Sequence, residues 1–169
     1  MKSKTGHTIK KRENSNDVFI TPLGLSKLHI DMIDDKWNSS IWLDPCRNNG
    51  SYYNQFPLDS KREYCEILDG IDFFSFNKSI DVICGNPPYS ILDKWIDKSI
   101  ELNPNVISYL IGQGALTTRR IEKMEKAGYG LKKLHFTKVF EWYGMSYIVV
   151  FEKGTSSIIQ YDRKVWRDK

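Results

Sequence analysis

The segment Ile80-Asp81-Val82-Ile83-Cys84-Gly85-Asn86-Pro87-Pro88-Tyr89 decides the fold, because an apolar run leads directly into a rigid turn. Consecutive prolines fix φ, and the residue before each proline is driven away from helical dihedral angles. The chain that leaves the apolar run therefore cannot continue as a helix or as a sheet ladder. This pattern predicts a buried strand whose carboxyl end carries a ligand-facing turn, the place where open α/β sheets bind their ligands.

The turn itself combines two oxygen acceptors with an aromatic ring. The side-chain oxygen of Asn86 and the backbone oxygen of Pro87 would accept both hydrogens of one NH₂ group. Pro88 keeps the backbone rigid, and Tyr89 would stack on the ring that bears the amino group. A plain surface turn is the alternative interpretation, since turns favour Asn and Pro.

The Asn-Pro-Pro-Tyr motif resembles the catalytic motif of S-adenosylmethionine-dependent amino-methyltransferases. One branch of that family methylates the exocyclic nitrogen of adenine in DNA or RNA, and another methylates a glutamine side chain in protein. The sequence is similar to the adenine-N6 DNA methyltransferases over residues 18–153, in a small form without a target-recognition domain. The resemblance implies a Rossmann-like fold and a bound S-adenosylmethionine. It implies catalytic roles for Asn86, Pro87, Pro88 and Tyr89.

Three further segments occur in the order that the adenine branch shows. They are Thr21-Pro22 at a helix start, Asp44-Pro45 with Gly50 and Tyr52 after a strand, and Glu66 with Asp72 and Phe73. The resemblance implies that these nine residues bind the cofactor. We expect Glu66 to accept hydrogen bonds from the ribose hydroxyls, as the acid of dinucleotide folds does.

In the family, the residues that resemble Asp72 and Phe73 hold and cover the adenine of the cofactor. The cofactor loop departs from the family pattern at one position, because Asn48 stands where the first glycine usually is. Asn tolerates the left-handed backbone conformation better than most residues, so the loop geometry would survive.

The remaining pattern predicts an α/β protein with a Rossmann-like class I methyltransferase sheet. We expect strands near 40–44, 62–68, 80–85 and 106–111, an extended piece at 71–74, and a C-terminal antiparallel hairpin of 131–140 and 146–152 around Tyr143-Gly144. Helices are expected from an N-cap at Thr21 to Trp37, briefly before Pro57, over 90–102 with Trp95 on its apolar face, and from Thr117 or Thr118 to Gly128. Only five residues separate Glu66 from Asp72, so the sheet is either abbreviated or wired in an unusual order.

Length and composition indicate one domain with a substantial core. The chain has 169 residues, of which 40% are hydrophobic, and no apolar run of membrane-spanning length or signal peptide is found in it. We expect a catalytic domain over 18–154 between a flexible basic tail at 1–17 and a basic tail at 155–169. Cys46, Cys65 and Cys84 read as reduced core thiols of a cytoplasmic protein in a bacterial or phage-infected cell. No metal site is expected, and His7, His29 and His135 are given no catalytic role.

Positive charge is concentrated in residues 119–138, which hold seven basic and two acidic residues. Such a stretch can engage phosphates, and the candidates are Arg119, Arg120, Lys123, Lys132 and Lys133. A solvated helix face with a Glu122–Lys126 pair is the alternative. The loop 112–120 would line the substrate entrance.

The expected activity is methylation of adenine N6 in nucleic acid, with DNA as the preferred partner. No separate reader of base edges is recognisable, so we expect loose target recognition, a homodimer, or a separate recognition subunit. Two alternatives stay open. One is a protein glutamine methyltransferase, and the other is a catalytically silent subunit that keeps the fold and binds a partner or nucleic acid.

Overall fold

A six-stranded sheet organises the part of the chain that the computed structural model describes, residues 19–139 and 144–163. The strands are β1 (Ile41–Asp44), β2 (Lys61–Tyr64), β3 (Val82–Gly85), β4 (Val106–Gly112), β5 (Tyr129–Thr137) and β6 (Ser146–Lys153). Their order across the sheet is β2-β1-β3-β4-β6-β5. The first four pair in parallel, whereas β6 is antiparallel to both β4 and β5.

Three α-helices accompany the sheet in the described residues: α1 (Leu23–Asp31), α2 (Leu92–Leu102) and α3 (Thr118–Lys126). Short 3₁₀ turns fill the other connections, at Asp35–Trp37, Tyr53–Gln55, Ile67–Asp69, Phe73–Ser75, Tyr89–Ile91 and Gln113–Ala115. None of the helices in these residues is long and apolar enough to cross a membrane.

Alternate residues of the central strands point to two separate cores. Leu43 and Ile83 belong to one core, which α2 and α3 cover, while their neighbours Trp42 and Val82 belong to the other, next to α1. β3 is buried along its whole length, which explains its continuous apolar sequence. The sheet is therefore covered on both faces, and its accessible edge for ligands is the carboxyl end of the parallel strands.

The α/β class, the strand positions and the antiparallel C-terminal pair are confirmed. The sheet is abbreviated, as the short spacing between Glu66 and Asp72 indicates, because 3₁₀ turns alone link β2 to β3 in this region. The predicted hairpin turn includes Tyr143, which lies outside the described residues, as do Phe140 and the predicted tail 1–17.

Several element boundaries were predicted wrongly. The first helix ends at Asp31 rather than Trp37, the second strand ends at Tyr64, and the extended piece at 71–74 is largely a 3₁₀ turn. The short helix before Pro57 is also a 3₁₀ turn. Of the predicted C-terminal tail 155–169, the described part packs on the domain, since the Ile158 amide donates to the Leu131 carbonyl at 2.9 Å.

Candidate active site

The site lies where the loops after β1 and β3 meet. β1 pairs with β2 on one side and with β3 on the other, so the chain order reverses here, as at the ligand-binding crevice of open α/β sheets. A Cβ atom on Gly85 would lie 3.0 Å from the Pro45 ring and 3.3 Å from an Asp44 oxygen. Glycine at the end of β3 therefore lets the two loops approach each other closely.

A cavity of about 1510 Å³ opens at this place. Its walls come from the loops after β1 and β3, the turns that follow β2, and residues 112–115 after β4. All four predicted catalytic residues line it, and six of the nine predicted cofactor residues do: Thr21, Pro45, Tyr52, Glu66, Asp72 and Phe73. The strand order thus brings together residues that are far apart in the sequence, from Phe19 to Met145, at one edge of the sheet.

Asn86 presents one satisfied and one unsatisfied polar group. Its Nδ2 donates to Thr21 Oγ1 at 3.2 Å, and its backbone carbonyl accepts from the Cys46 thiol at 3.0 Å. Its Oδ1 is buried and has no hydrogen-bond partner among the described residues. A buried acceptor without a partner lowers the stability of the folded protein by about 1–3 kcal/mol. A ligand that donates a hydrogen bond to this oxygen would remove that cost.

The rest of the turn follows from its prolines. Pro87 is buried and Pro88 is half-buried, while Tyr89 is 42% exposed and begins the 3₁₀ turn that leads into α2. The Tyr89 ring passes close to Gly112 at the end of β4, where an added Cβ would be 3.5 Å away. A half-exposed aromatic face at the cavity mouth is suited to stacking on a planar group.

Asp44 stabilises the loop rather than lining the cavity. The carboxyl group is 1% exposed and accepts from the backbone N–H groups of Cys46 and Tyr53, both at 3.2 Å. Burial raises the pKa of Asp44 to about 7, and the two backbone donors oppose that rise. Asp44 thus shapes the loop, and its contact with the cofactor stays a prediction.

Gly50 and Pro22 also lie outside the cavity wall, and their contact with the cofactor stays a prediction. Gly50 has φ +87°, and a Cβ there would come within 2.6 Å of the Asn54 side chain, so it is needed for the loop conformation. Pro22 is the N-cap of α1, a role predicted for Thr21. Thr21 is turned toward Asn86 instead.

Asn48 adopts the left-handed conformation, with φ 49°, which asparagine tolerates better than most residues. The backbone N–H of Asn48 donates to Glu66 Oε2 at 2.7 Å. Glu66 lies two residues beyond β2 and also accepts from the Leu68 amide at 3.2 Å. The carboxylate is therefore fixed at the cavity wall by the loop it faces, and its contact with ribose stays a prediction.

Asp72 and Phe73 form the wall next to α2. Asp72 accepts from the Phe74 amide at 3.1 Å and so starts the turn that follows. Phe73 is buried and its ring lies 4.6 Å from the ring of Trp95. Trp95 also lines the cavity, and its indole N–H is buried without a partner in the described residues. The position of Trp95 at the site was not predicted, because its spacing indicates only the apolar face of a helix.

Four of the five predicted phosphate-binding residues fall into two separate groups, and the two residues of each group bond to the same carboxylate. Arg119 and Arg120 bond to Asp93 at 2.5 and 2.8 Å. Lys132 and Lys133 bond to Asp34 at 2.6 and 2.7 Å. The first group borders the cavity through Arg120, whereas the second lies beside the end of α1.

Other residues of α3 also form ion pairs. Lys123 bonds to Asp97 at 2.5 Å. The Glu122–Lys126 pair is present at 2.8 Å. Positive charge that was predicted to form one stretch is therefore distributed and largely paired.

No protein-family model matches this sequence, and no curated protein does. Solved structures match it at 11–15% identity, and they define its fold class: the chain has the class I methyltransferase fold. One is the Listeria monocytogenes protein lmo1582, named as a class I S-adenosylmethionine-dependent methyltransferase, with TM-score 0.63, 13% identity, and coverage of 92% of this chain and 67% of that one.

Two other solved structures are named for different substrates or assemblies. The Mtq2–Trm112 complex of E. cuniculi, named for methylation of the eRF1 translation termination factor, matches with TM-score 0.62 and 15% identity over 82% of this chain and 99% of that one. TrmN from Thermus thermophilus matches with TM-score 0.54 and 15% identity over 78% of this chain. The match spans about half of TrmN, 48% of its length.

Proposed function

We propose that the protein is an S-adenosylmethionine-dependent methyltransferase that acts on the exocyclic N6 of adenine in nucleic acid, with DNA as the preferred substrate. The observation that carries this proposal is Asn86, whose buried Oδ1 lacks a partner among the described residues at the wall of a large cavity. The prolines that follow fix this residue at the carboxyl end of a buried strand, where catalytic groups of open α/β sheets are held.

The cavity fits S-adenosylmethionine in position and in chemistry. It lies at the crossover of β1 and β3, and Gly85 keeps free the space that a Cβ would fill. Acidic, aromatic and hydroxyl side chains line it. Those that would hold the cofactor are Thr21, Pro45, Tyr52, Glu66, Asp72 and Phe73. When bound, S-adenosylmethionine supplies a methyl group on a positively charged sulfur, and the electrons of the broken carbon–sulfur bond leave with the sulfur.

The turn would prepare the amine for this transfer. The lone pair of an adenine amine is delocalised into the ring, which makes it a poor nucleophile. Acceptance of both N–H bonds by Asn86 Oδ1 and the Pro87 carbonyl would localise that pair on nitrogen. The nitrogen–carbon bond then forms as the positive charge passes to nitrogen, and a proton leaves to solvent afterwards. No strong base is needed, because positioning and fixed dipoles supply most of the rate.

A base in a duplex must leave the stack to reach this turn, at a cost of a few kcal/mol. Tyr89 would replace part of the lost stacking, since its ring is half-exposed beside the cavity. Arg119, whose side chain is 57% exposed although it bonds to Asp93, is placed near the same opening by its neighbour Arg120. A phosphate would compete with that carboxylate for the guanidinium.

A protein glutamine side chain is the second candidate substrate. A primary amide also carries an NH₂ group with a delocalised lone pair, so the same two acceptors would serve it. The observation that favours it is the match to nearly a whole chain of the Mtq2–Trm112 complex, which is named for methylation of the eRF1 translation termination factor. The carboxylate-paired arginines near the entrance also fit a substrate without phosphates.

Incubation with tritiated S-adenosylmethionine separates these substrates. The purified protein is offered unmethylated plasmid DNA, total RNA, or a protein extract treated with nucleases, and the labelled product is digested and identified by mass spectrometry. We expect N6-methyladenine, with DNA labelled more strongly than RNA. Label confined to glutamine in protein would select the second candidate. Cofactor binding without transfer to any of the three would identify a silent subunit.

Asn105→Ala is the matched control variant for this assay. Asn105 is half-buried and its amide bonds to Asp81 at 3.2 Å, at the start of β4 and thus at the opposite end of the sheet. It should retain the activity of the parent protein.

A further inference from the structure

A buried chain of hydrogen bonds runs from the centre of the sheet to Asn86. His29 of α1 is completely buried, and its Nε2 lies 2.7 Å from Ser108 Oγ on β4. Its Nδ1 lies 2.9 Å from the hydroxyl of Tyr52, whose pKa is raised by burial and lowered by a hydrogen bond from the Thr21 side chain. Thr21 Oγ1 then accepts from Asn86 Nδ2 at 3.2 Å.

The donor and the acceptor of each of these hydrogen bonds follow from the end of the series at Ser108. Ser108 Oγ is 3.1 Å from the backbone carbonyl of Val149, which can only accept, so the single hydroxyl proton of Ser108 is used there. Ser108 must therefore accept from His29, which places the imidazole proton on Nε2. The unprotonated Nδ1 must then accept from the Tyr52 hydroxyl.

The order of the protons extends from Tyr52 to the turn at Asn86. Because Tyr52 donates to His29, its oxygen is the acceptor for the Thr21 hydroxyl. Thr21 has then used its only proton, and its oxygen can accept but not donate toward Asn86. Thr21 therefore favours the amide orientation in which Nδ2 faces it, and this orientation leaves Oδ1 for another donor.

We propose that His29 and Ser108 are positioning residues, which fix the tautomer of one buried imidazole and thereby hold the Asn86 amide with its oxygen available to the substrate amine. Neither residue lines the cavity. They act through Tyr52 and Thr21, over four consecutive hydrogen bonds. The consequence for catalysis rests on the proposed function, whereas the proton order does not.

His29 is suited to this task because it stays neutral. Burial lowers the pKa of His29 to about 3, so the ring keeps one proton at any pH at which the protein would work. The groups in contact with it are the hydroxyls of Tyr52 and Ser108, which carry no charge at that pH. Its ring also packs edge-on against Tyr52, with centroids 5.3 Å apart, which limits rotation of the imidazole.

The proton order can be read without any activity. In ¹⁵N-labelled protein, the imidazole signal that disappears in His29→Gln belongs to His29. We expect its proton on Nε2, and we expect nuclear Overhauser contacts between the Asn86 NH₂ hydrogens and Thr21. A proton on Nδ1, or an Asn86 amide turned with its oxygen toward Thr21, would overturn the proposal.

Ser108→Ala tests the effect on catalysis. It removes the acceptor of the His29 proton, so the imidazole can adopt its other tautomer. The hydrogen bonds from His29 to Asn86 can then run in the opposite direction. We expect kcat to fall about ten-fold, which is about 1.4 kcal/mol, with the Kd for S-adenosylmethionine changed less than about two-fold. Ser99→Ala is the matched control, because Ser99 is an equally buried serine with two hydrogen bonds, to Tyr109 and Trp95, on the other face of the sheet.

The outcomes separate this proposal from the proposed function. An unchanged kcat in Ser108→Ala, or an equal loss in the Ser99→Ala control, would overturn the positioning role. Tyr52→Phe interrupts the same chain, so the double variant with Ser108→Ala should be no slower than the slower single variant. A double variant whose loss of kcat is the product of the two single losses would show that Ser108 and Tyr52 do not act through the same series of hydrogen bonds. If the parent protein methylates nothing, the NMR signals of the His29 imidazole and the Asn86 amide still show whether the hydrogen bonds have the proposed direction.

Discussion

Replacing His29 with glutamine should change how stability depends on pH. His29 is completely buried, and burial lowers its pKa from 6.5 to about 3. In the unfolded chain His29 binds a proton below pH 6.5, whereas in the folded protein it does so only below about pH 3. The stability of the folded protein therefore falls as the pH falls through this range. Glutamine does not titrate, and it keeps one donor and one acceptor.

The size of the effect follows from the pKa shift. Each pH unit below 6.5 costs the folded protein about 1.36 kcal/mol through His29, until the folded pKa is reached. Between pH about 7.5 and about 4.5 the loss is about 2.7 kcal/mol. Asp44 opposes it, because its pKa is raised to about 7 and it favours the folded state more as the pH falls toward 3.8. The comparison must therefore be made between variant and parent at each pH.

Urea unfolding, followed by tryptophan fluorescence, measures this difference. The free energy of unfolding of the parent, relative to His29→Gln, should drop by about 2.7 kcal/mol from the higher to the lower pH. The same difference at both pH values would refute the reasoning. His135→Gln, at a half-buried histidine of β5, controls for the loss of an imidazole elsewhere. Should His29→Gln not fold, an NMR titration of the parent gives the same information, since the His29 ring must stay neutral well below pH 6.

Two further variants test the site and its entrance. Gly85→Ala places a Cβ 3.0 Å from Pro45 and pushes the two loops apart. We expect cofactor affinity, measured by calorimetry, to fall about ten-fold and the free energy of unfolding to fall by about 1 kcal/mol. Unchanged affinity would show that cofactor binding does not need the close contact of the two loops. Arg119→Gln should raise the KM for DNA and reduce the slope of log K against log salt by about one, with kcat unchanged; an identical salt slope would remove Arg119 from the interface.

The sequence was informative wherever local chemistry determines local structure. The prolines at 87 and 88 rule out helix and sheet, so the turn at the end of β3 could be predicted from residues 80–89 alone. Asn48 adopts the left-handed conformation that its residue type tolerates. Thr117 caps α3, with its hydroxyl accepting from the Arg120 amide at 3.3 Å.

The sequence was misleading where partners come from distant parts of the chain. Thr21 reads as a helix cap, but its hydroxyl takes partners at positions 52 and 86, which only the folded sheet brings near. His29 forms no motif, because its two partners lie 23 and 79 residues away. Lys132 and Lys133 read as phosphate ligands, whereas Asp34, about a hundred residues earlier, bonds to both. Spacing along the chain carries no signal for such contacts.

The most direct test of the central claim compares parent protein and Asn86→Ala in single-turnover methylation of unmethylated DNA, with the Kd for S-adenosylmethionine measured on both. Removal of one fixed acceptor at the reacting nitrogen should slow methyl transfer about 10²–10³-fold, while the Kd changes less than about two-fold. An Asn86→Ala protein that binds the cofactor equally well and transfers methyl at the parental rate would contradict the account.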